Sequence, residues 1–250
     1  MIIIPMAGNS SRFFEAGYKE PKFFLPLDGR PLFDWSLLSF KSYFESQEFL
    51  FIARDNNLIK EFLIKRIKVL GIKKFQLIYL KEATKGQAET VYFGVQQYLS
   101  SAFLKKSQKE QALIIFNIDT IRPHIQFPKN WKTHGWIEVF KTDGDNWSFV
   151  LPKVDNPKWV DRCTEKVRIS DLCCTGLYGF ASINQYLAAY EAELQNPSSF
   201  ELFVAPLYNH LISKGALVSW HTVDRAGVFL SGVPSEYEHL KKINLRQFFS

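Results

Sequence analysis

Short, wholly apolar runs alternate with stretches of helical period through the first half of the chain, and this alternation constrains the fold more than any other feature. Ile2-Ile3-Ile4 opens the series, Phe49-Leu50-Phe51-Ile52 continues it, and Ala112-Leu113-Ile114-Ile115-Phe116 closes it. Apolar runs without polar alternation belong to strands covered on both faces, the usual condition of parallel sheets. Residues 75–80 form a further strand. Between these runs, Asn56 can cap a helix whose Ile59, Leu63, Ile67 and Leu70 share one face, with Gly71 ending it. Residues 87–99 make a second helical stretch, and residues 31–41 a third with Pro31 at its first position. Repeated strand-helix steps of this kind specify an α/β fold built on a mixed, mostly parallel central sheet flanked by helices.

In open parallel sheets, ligands bind outside the carboxyl ends of the strands, so residues 5–12, 81–87 and 117–120 are the expected ligand loops. After residue 134 the strands become shorter, at residues 136–140, 147–150, 164–169 and 174–180. Two helices should follow, because Ser182 with Gln185 and Ser198 with Glu201 both have capping-box spacing. A break at Pro206, a strand over residues 216–222 and a final helix after Pro234 complete the series. No linker or repeat interrupts the 250 residues, so we expect a single domain, 1–250, with a first half of about 1–133 and a β-rich second half of about 134–250.

Composition removes several classes of function. The excess of 31 basic over 25 acidic residues gives a net charge of +6, but the basic residues are scattered. The tightest group, Lys105 and Lys106 with Lys109, lies among Ser and Gln, so nucleic acid is not an expected partner. Three cysteines are too few for a disulfide framework, and the adjacent Cys173 and Cys174 lack zinc-site spacing. The first apolar run stops at Pro5, and no window reaches the length of a membrane span. A cytoplasmic protein with no membrane partner is the expectation.

The stretch most informative about chemistry is Met6-Ala7-Gly8-Asn9-Ser10-Ser11-Arg12-Phe13, directly after the first strand and followed by Glu20-Pro21-Lys22. Small residues let backbone N–H groups approach phosphate oxygens, and Arg12 and Lys22 can neutralise a polyphosphate. The stretch is neither a Walker loop nor a dinucleotide fingerprint, because G-K-[ST] and the glycines of G-x-G-x-x-G are both missing.

Taken in order, M-A-G-x-x-S-R-F, then Ala16-Gly17-Tyr18, Pro21-Lys22 and Pro26-Leu27-Asp28-Gly29-Arg30-Pro31 resemble the opening of the sugar nucleotidyltransferases, the nucleoside-diphosphate-sugar pyrophosphorylase superfamily. The resemblance extends along nearly the whole chain. Gly86-Gln87-Ala88 is similar to the segment beside base and ribose, and Asn117-Ile118-Asp119 to the strand end whose aspartate binds magnesium. Glu165-Lys166 resembles the pair whose lysine meets the acceptor phosphate, and Gly176-Leu177-Tyr178-Gly179-Phe180 the strand that follows it. Phe200-Glu201-Leu202-Phe203 and Ser231-Gly232-Val233-Pro234 resemble the acceptor segment and the closing G-T-P turn, most closely in the subgroup associated with bacterial surface-polysaccharide gene clusters.

The resemblance implies a Rossmann-like nucleotide-diphospho-sugar transferase fold, with its nucleotide half first and its acceptor half second. It implies a Mg²⁺-dependent enzyme that joins an NTP, a pyrimidine nucleotide being favoured, to a sugar phosphate or similar small phosphorylated acceptor. Arg12, Lys22 and Lys166 would be the catalytic cations and Asp119 the metal ligand. Ala7, Gly8, Asn9, Ser10, Ser11, Gly86 and Gln87 would hold the nucleotide, and Glu165, Gly176, Glu201 and Arg168 the acceptor. Glycosyl transfer from a nucleotide sugar and non-catalytic nucleotide binding are the alternatives.

The chain departs from the family pattern in three places. Ser10 stands where many members carry a second glycine, Arg168 where proline is common, and Leu230-Ser231 where an aspartate often precedes the closing turn. The last departure leaves no carboxylate for a second metal contact at that position.

Overall fold

The computed structural model describes residues 1–100 and 109–249, so Lys105 and Lys106 lie outside the described residues. A nine-stranded mixed sheet runs through both halves of the chain. Strand Ile2–Met6 lies at its centre, parallel to Glu48–Arg54 on one side and to Leu113–Phe116 on the other. Lys74–Leu80 continues the parallel series at the edge. Leu172–Phe180 runs antiparallel to Leu113–Phe116 and carries the second-half strands Gly135–Lys141 and Ser148–Pro152 beside it. Val160–Glu165 pairs with Ser148–Pro152, and Val218–Thr222 lies parallel to Gly135–Lys141.

The apolar runs are strands because each presents alternate residues to two separate layers. Ile3, Leu50, Ile52, Leu113 and Ile115 pack with Val91 and Val95 of helix Gln87–Ser100. Ile2, Ile4, Phe49, Phe51, Ile114 and Phe116 face the other way, against Phe33 of helix Leu32–Leu38 and Leu63 and Ile67 of helix Asn57–Leu70. Burying one such side chain is worth roughly 1.5–3 kcal/mol, which is why this repeated two-sided burial dominates the fold. Asn56 caps its helix through Oδ1, accepting from Leu58 and Ile59 N–H at 2.9 and 3.3 Å, and Gly71 ends it in the left-handed region at φ 79°. Among the described residues no helix is long and apolar enough to cross a membrane.

The chain departs from local expectation in three places. The 31–41 helix spans only Leu32–Leu38, with Pro31 extended at φ −67°, ψ 153° as its cap. The strand expected over residues 164–169 is Val160–Glu165, ended by Lys166 turning left-handed at φ 54° while its N–H donates to the Trp147 carbonyl at 2.8 Å. The helix expected from Ser198 does not form. Glu193, at the end of helix Ile183–Gln195, takes both the Ser198 N–H (2.7 Å) and its hydroxyl (2.5 Å), so Ser198 has no capping role and the next helix begins at Leu207 after Pro206.

Candidate active site

The first strand and Leu113–Phe116 are neighbours, although the chain builds two other strands of this sheet and their helices between them. The order of strands reverses there, and in doubly wound sheets such a point opens a crevice at the carboxyl edge. A cleft of about 1080 Å³ occupies that edge, lined by residues 5–12, 83–87, 117–120, 143–144, 146–148, 200–201 and 203–204 among others. The three expected ligand loops therefore meet in one place.

Ser10 sets the geometry of the first loop. It is left-handed at φ 53°, ψ 30°, and its carbonyl accepts from Phe13 and Phe14 N–H at 2.9 and 3.1 Å, starting the short helix Ser11–Glu15. The left-handed conformation is tolerated, at the cost usual for a residue with a Cβ. The Ser10 hydroxyl accepts the Lys22 N–H at 3.2 Å, tying the loop to the segment that carries Lys22. Phe13 is buried while Arg12 beside it is exposed at the cleft rim, and Ala7, Gly8, Asn9 and Ser11 complete the lining.

Lys22 Nζ donates to Asp119 Oδ2 at 2.6 Å across 97 residues of sequence. Asp119 is held from behind by Ser231, whose N–H and hydroxyl donate to its carbonyl at 2.8 and 2.9 Å. A third charged group stands nearby. Glu236 Oε2 accepts from the N–H groups of Gly232 and Val233 at 2.7 and 3.1 Å, and a Cβ added to Gly232 would sit 3.4 Å from both Asp119 Oδ2 and Glu236 Oε2. The sequence offered no carboxylate before the closing turn; the fold brings one from after it. Asp224 instead caps a turn, accepting from Ala226 N–H at 2.9 Å.

Gly86 and Gly176 are glycines for steric reasons. At φ 154°, a Cβ on Gly86 would fall 2.4 Å from the Leu202 carbonyl oxygen, the group that accepts Ala88 N–H at 3.0 Å. At φ 93°, a Cβ on Gly176 would fall 2.7 Å from the Asn117 side chain, which accepts a hydrogen bond from Gln87 Nε2. The Gly176 strand rests on buried Glu138, which receives Arg122 Nε and Nη2 at 3.1 Å each and the Thr175 hydroxyl at 3.1 Å. Burial alone would raise the Glu138 carboxyl, but hydrogen bonds from His221 and Arg122 outweigh it and hold it below its usual value.

On the part of the cleft lined by the second half of the chain, Lys166 Nζ lies 3.9 Å from Glu201 Oε2 and 4.7 Å from the centre of the Phe203 ring. Glu165 accepts the Ser148 hydroxyl, and burial pushes its carboxyl upward against that bond and the charge of Lys166. Trp147 and Phe200 also line this part, Phe200 being 91% exposed. Sequence reading assigned no role in the site to Asp143 or Trp147, because the loop that carries them has no motif of its own. Arg168 does not line the cleft; its guanidinium donates to the Gly144 and Thr142 carbonyls at 2.8 and 3.2 Å and so fastens the 142–144 loop. That geometry provides an alternative to the acceptor contact expected of it.

The donor set at Asp119 is all oxygen. Among the described residues no group of three or more His, Cys, Asp and Glu could hold a metal. Mg²⁺ is commonly bound by one or two carboxylates with substrate phosphates and water, so the residues present fit a cation that arrives with a phosphate-bearing ligand.

No protein-family model and no curated protein matches the chain. Solved structures do. The inositol-1-phosphate CTP transferase of T. maritima shares the fold at a TM-score of 0.69 and 15% identity, covering 100% of this chain and 96% of that one. A UDP-glucose pyrophosphorylase complexed with UDP-glucose does so at 0.72 and 12%, covering 98% of each. The nucleoside-diphosphate-sugar pyrophosphorylase of Vibrio cholerae RC9 is far more similar, with a TM-score of 0.92 and 42% identity over 97% of this chain and 100% of that one. Because that likeness covers nearly the whole length of both chains at 42% identity, the chain belongs to the nucleoside-diphosphate-sugar pyrophosphorylase family of sugar nucleotidyltransferases.

Proposed function

We propose that this enzyme transfers a nucleoside monophosphate from an NTP, with a pyrimidine base favoured, to a sugar phosphate or similar small phosphorylated acceptor, releasing pyrophosphate. The observation that carries this reading is that cations from both halves of the chain line one cleft: Arg12 on the first loop and Lys22 on the segment after it, and Lys166 from the second half. Such a cleft suits two phosphorylated reactants meeting head to head. The acceptor's phosphate oxygen attacks the α-phosphorus, the bond from that phosphorus to the β-bridging oxygen breaks, and pyrophosphate leaves with the electron pair. Positioning and charge neutralisation are what such a displacement requires of a protein.

In this reading Arg12 steadies the departing phosphates, Lys22 the α-phosphate where charge develops, and Lys166 the attacking phosphate. Residues 7–11 with Gly86 and Gln87 form the nucleotide half of a single domain, while Glu165, Gly176 and Glu201 orient the acceptor from the other half. Bound Mg²⁺ supplies further neutralisation at the phosphate oxygens, and Asp119, with Glu236 beside it, is the residue that would hold it. Asp119 must exchange its contact with Lys22 for that role, which frees the Lys22 ammonium for phosphate. The resemblance of the closing segments supports a place in surface-polysaccharide precursor synthesis, in the cytoplasm where NTPs are made.

The test is pyrophosphate release with Mg²⁺, each NTP and a panel of phosphorylated acceptors, with Lys166→Ala and Arg12→Ala in parallel. One productive base and acceptor pair, with both variants reduced about a hundredfold or more, is the expected result. Tight NTP binding without turnover by any acceptor would favour the non-catalytic reading instead.

A further inference from the structure

A second cavity, about 550 Å³, lies apart from the cleft and shares none of its lining residues. Arg30, Lys41, Arg66 and Arg246 line it together with Trp35 and Phe249, and no carboxylate is among its lining residues. Two carboxylates stand behind the cations. Fully buried Asp34 accepts Arg66 Nε at 2.9 Å and lies 3.9 Å from Arg30 Nη1, and Asp28 lies 3.2 Å from Arg246 Nε. Four positive charges less two negative ones leave an excess of two, directed into a concave surface. Like charges held together in this way repel, and an anion in the cavity relieves the repulsion.

The remaining wall is aromatic: Phe249 is partly exposed, while Trp35 is buried behind it with the Arg30 guanidinium carbon 5.9 Å from its ring centre. Trp35 is fixed by its indole N–H, which donates to the Leu27 carbonyl at 2.7 Å, and its ring centre lies 5.3 Å from that of Phe249 at 47°. Gly29, at φ 78°, leaves room for Arg246: a Cβ there would come within 3.0 Å of Arg246 Nη2, which donates to the Asp28 carbonyl at 3.2 Å. The volume falls within the roughly 300–1,000 Å³ usual for small-molecule sites. An excess of two positive charges matches a phosphate monoester, which carries about −1.5 to −2 at neutral pH.

We propose that this cavity binds a phosphate monoester bearing a flat ring, of the nucleoside monophosphate class. Its phosphate lies among Arg30, Lys41 and Arg246, and its ring lies against Phe249, which packs on Trp35. Arg66 stays with Asp34 and contributes charge from behind. The cluster that holds Trp35 also contains Phe13, the residue after Arg12, so the site shares a packed core with the first loop of the cleft.

The test is calorimetric titration of the full protein at low salt with phenyl phosphate, uridine monophosphate and inorganic phosphate. Lys22→Ala/Lys166→Ala is the background, so that binding at the cleft does not mask the second site. Phenyl phosphate and uridine monophosphate should each bind at one site in this background, and Lys41→Gln/Arg246→Gln should weaken both by about tenfold or more per charged contact removed. Inorganic phosphate should bind at least about tenfold more weakly than phenyl phosphate, because it lacks the ring. Lys41→Glu, a single change at an exposed residue, provides a second variant and should abolish binding. Absence of binding in the background protein, indifference to the cavity substitutions, or equal affinity for inorganic phosphate would each overturn the proposal.

Discussion

Lys22 Nζ and Asp119 Oδ2 stand 2.6 Å apart, joining the segment after the first loop to the end of a central strand. Both side chains are partly exposed, so the pair contributes little to stability, while in the proposed function its two members serve different reactants. Lys22→Ala should lower kcat about a hundredfold or more with a melting temperature close to that of the parent. Asp119→Asn should instead raise the Mg²⁺ concentration needed for half-maximal rate. Steady-state kinetics across a Mg²⁺ titration separates the two, and equal Mg²⁺ dependence of parent and Asp119→Asn would remove Asp119 from the metal role.

Gly176→Ala should destabilise the protein by about 1–3 kcal/mol, because the new Cβ meets the Asn117 side chain at 2.7 Å in a left-handed backbone. Asn117 would have to release Gln87, so NTP affinity should fall together with stability. Thermal unfolding and nucleotide titration of the one variant check both effects.

Ser10 combines a strained backbone with a useful hydroxyl. Ser10→Ala keeps the left-handed strain and loses the bond to Lys22 N–H, costing about 0.5–1.5 kcal/mol. Ser10→Gly loses the same bond but relieves about 1–2 kcal/mol of strain, and should be close to neutral. Denaturant midpoints for the pair measure the difference, and a glycine variant less stable than the alanine one would contradict the strain argument.

Glu193 organises the loop that carries Phe200, Glu201 and Phe203 by accepting Ser198 and His210 Nε2, the latter at 2.6 Å. Burial acts to raise its carboxyl, but hydrogen bonds from the Ser198 hydroxyl and N–H and from His210 carry it below the usual carboxylate value. A carboxyl depressed in the folded state stabilises above its unfolded value, about 4.3, and loses that contribution as the pH falls through the folded value. Glu193→Gln should therefore be less stable than the parent at pH 7, with the gap narrowing below about pH 4. Melting temperatures of both proteins across that range supply the check.

The legible parts of this protein were those decided within a few residues. The four parallel strands, the Asn56 and Ser182 caps and the first loop follow from local apolarity, side-chain hydrogen bonding and backbone freedom, and these act before any tertiary contact forms. The helix expected from Ser198 failed for the opposite reason: its capping spacing was intact, but Glu193 took the Ser198 N–H that a capping box would give to Glu201, and Leu202 was drawn into pairing with Lys85 and Ala88. Glu236 was illegible as a neighbour of Asp119, because its position follows from a turn locked by Ser231 onto a strand end far away in sequence.

By itself, then, the sequence determined the layered α/β architecture and the position of the first loop of the cleft, since apolar period and small-residue turns are properties of adjacent residues. Only the tertiary structure decided which charges face one another. The meeting of Lys22 with Asp119, of Lys166 with Glu201, and of Arg30, Lys41 and Arg246 around a second cavity all depend on how segments distant in sequence are packed together. Long-range electrostatic neighbours are set by packing, which no local pattern encodes.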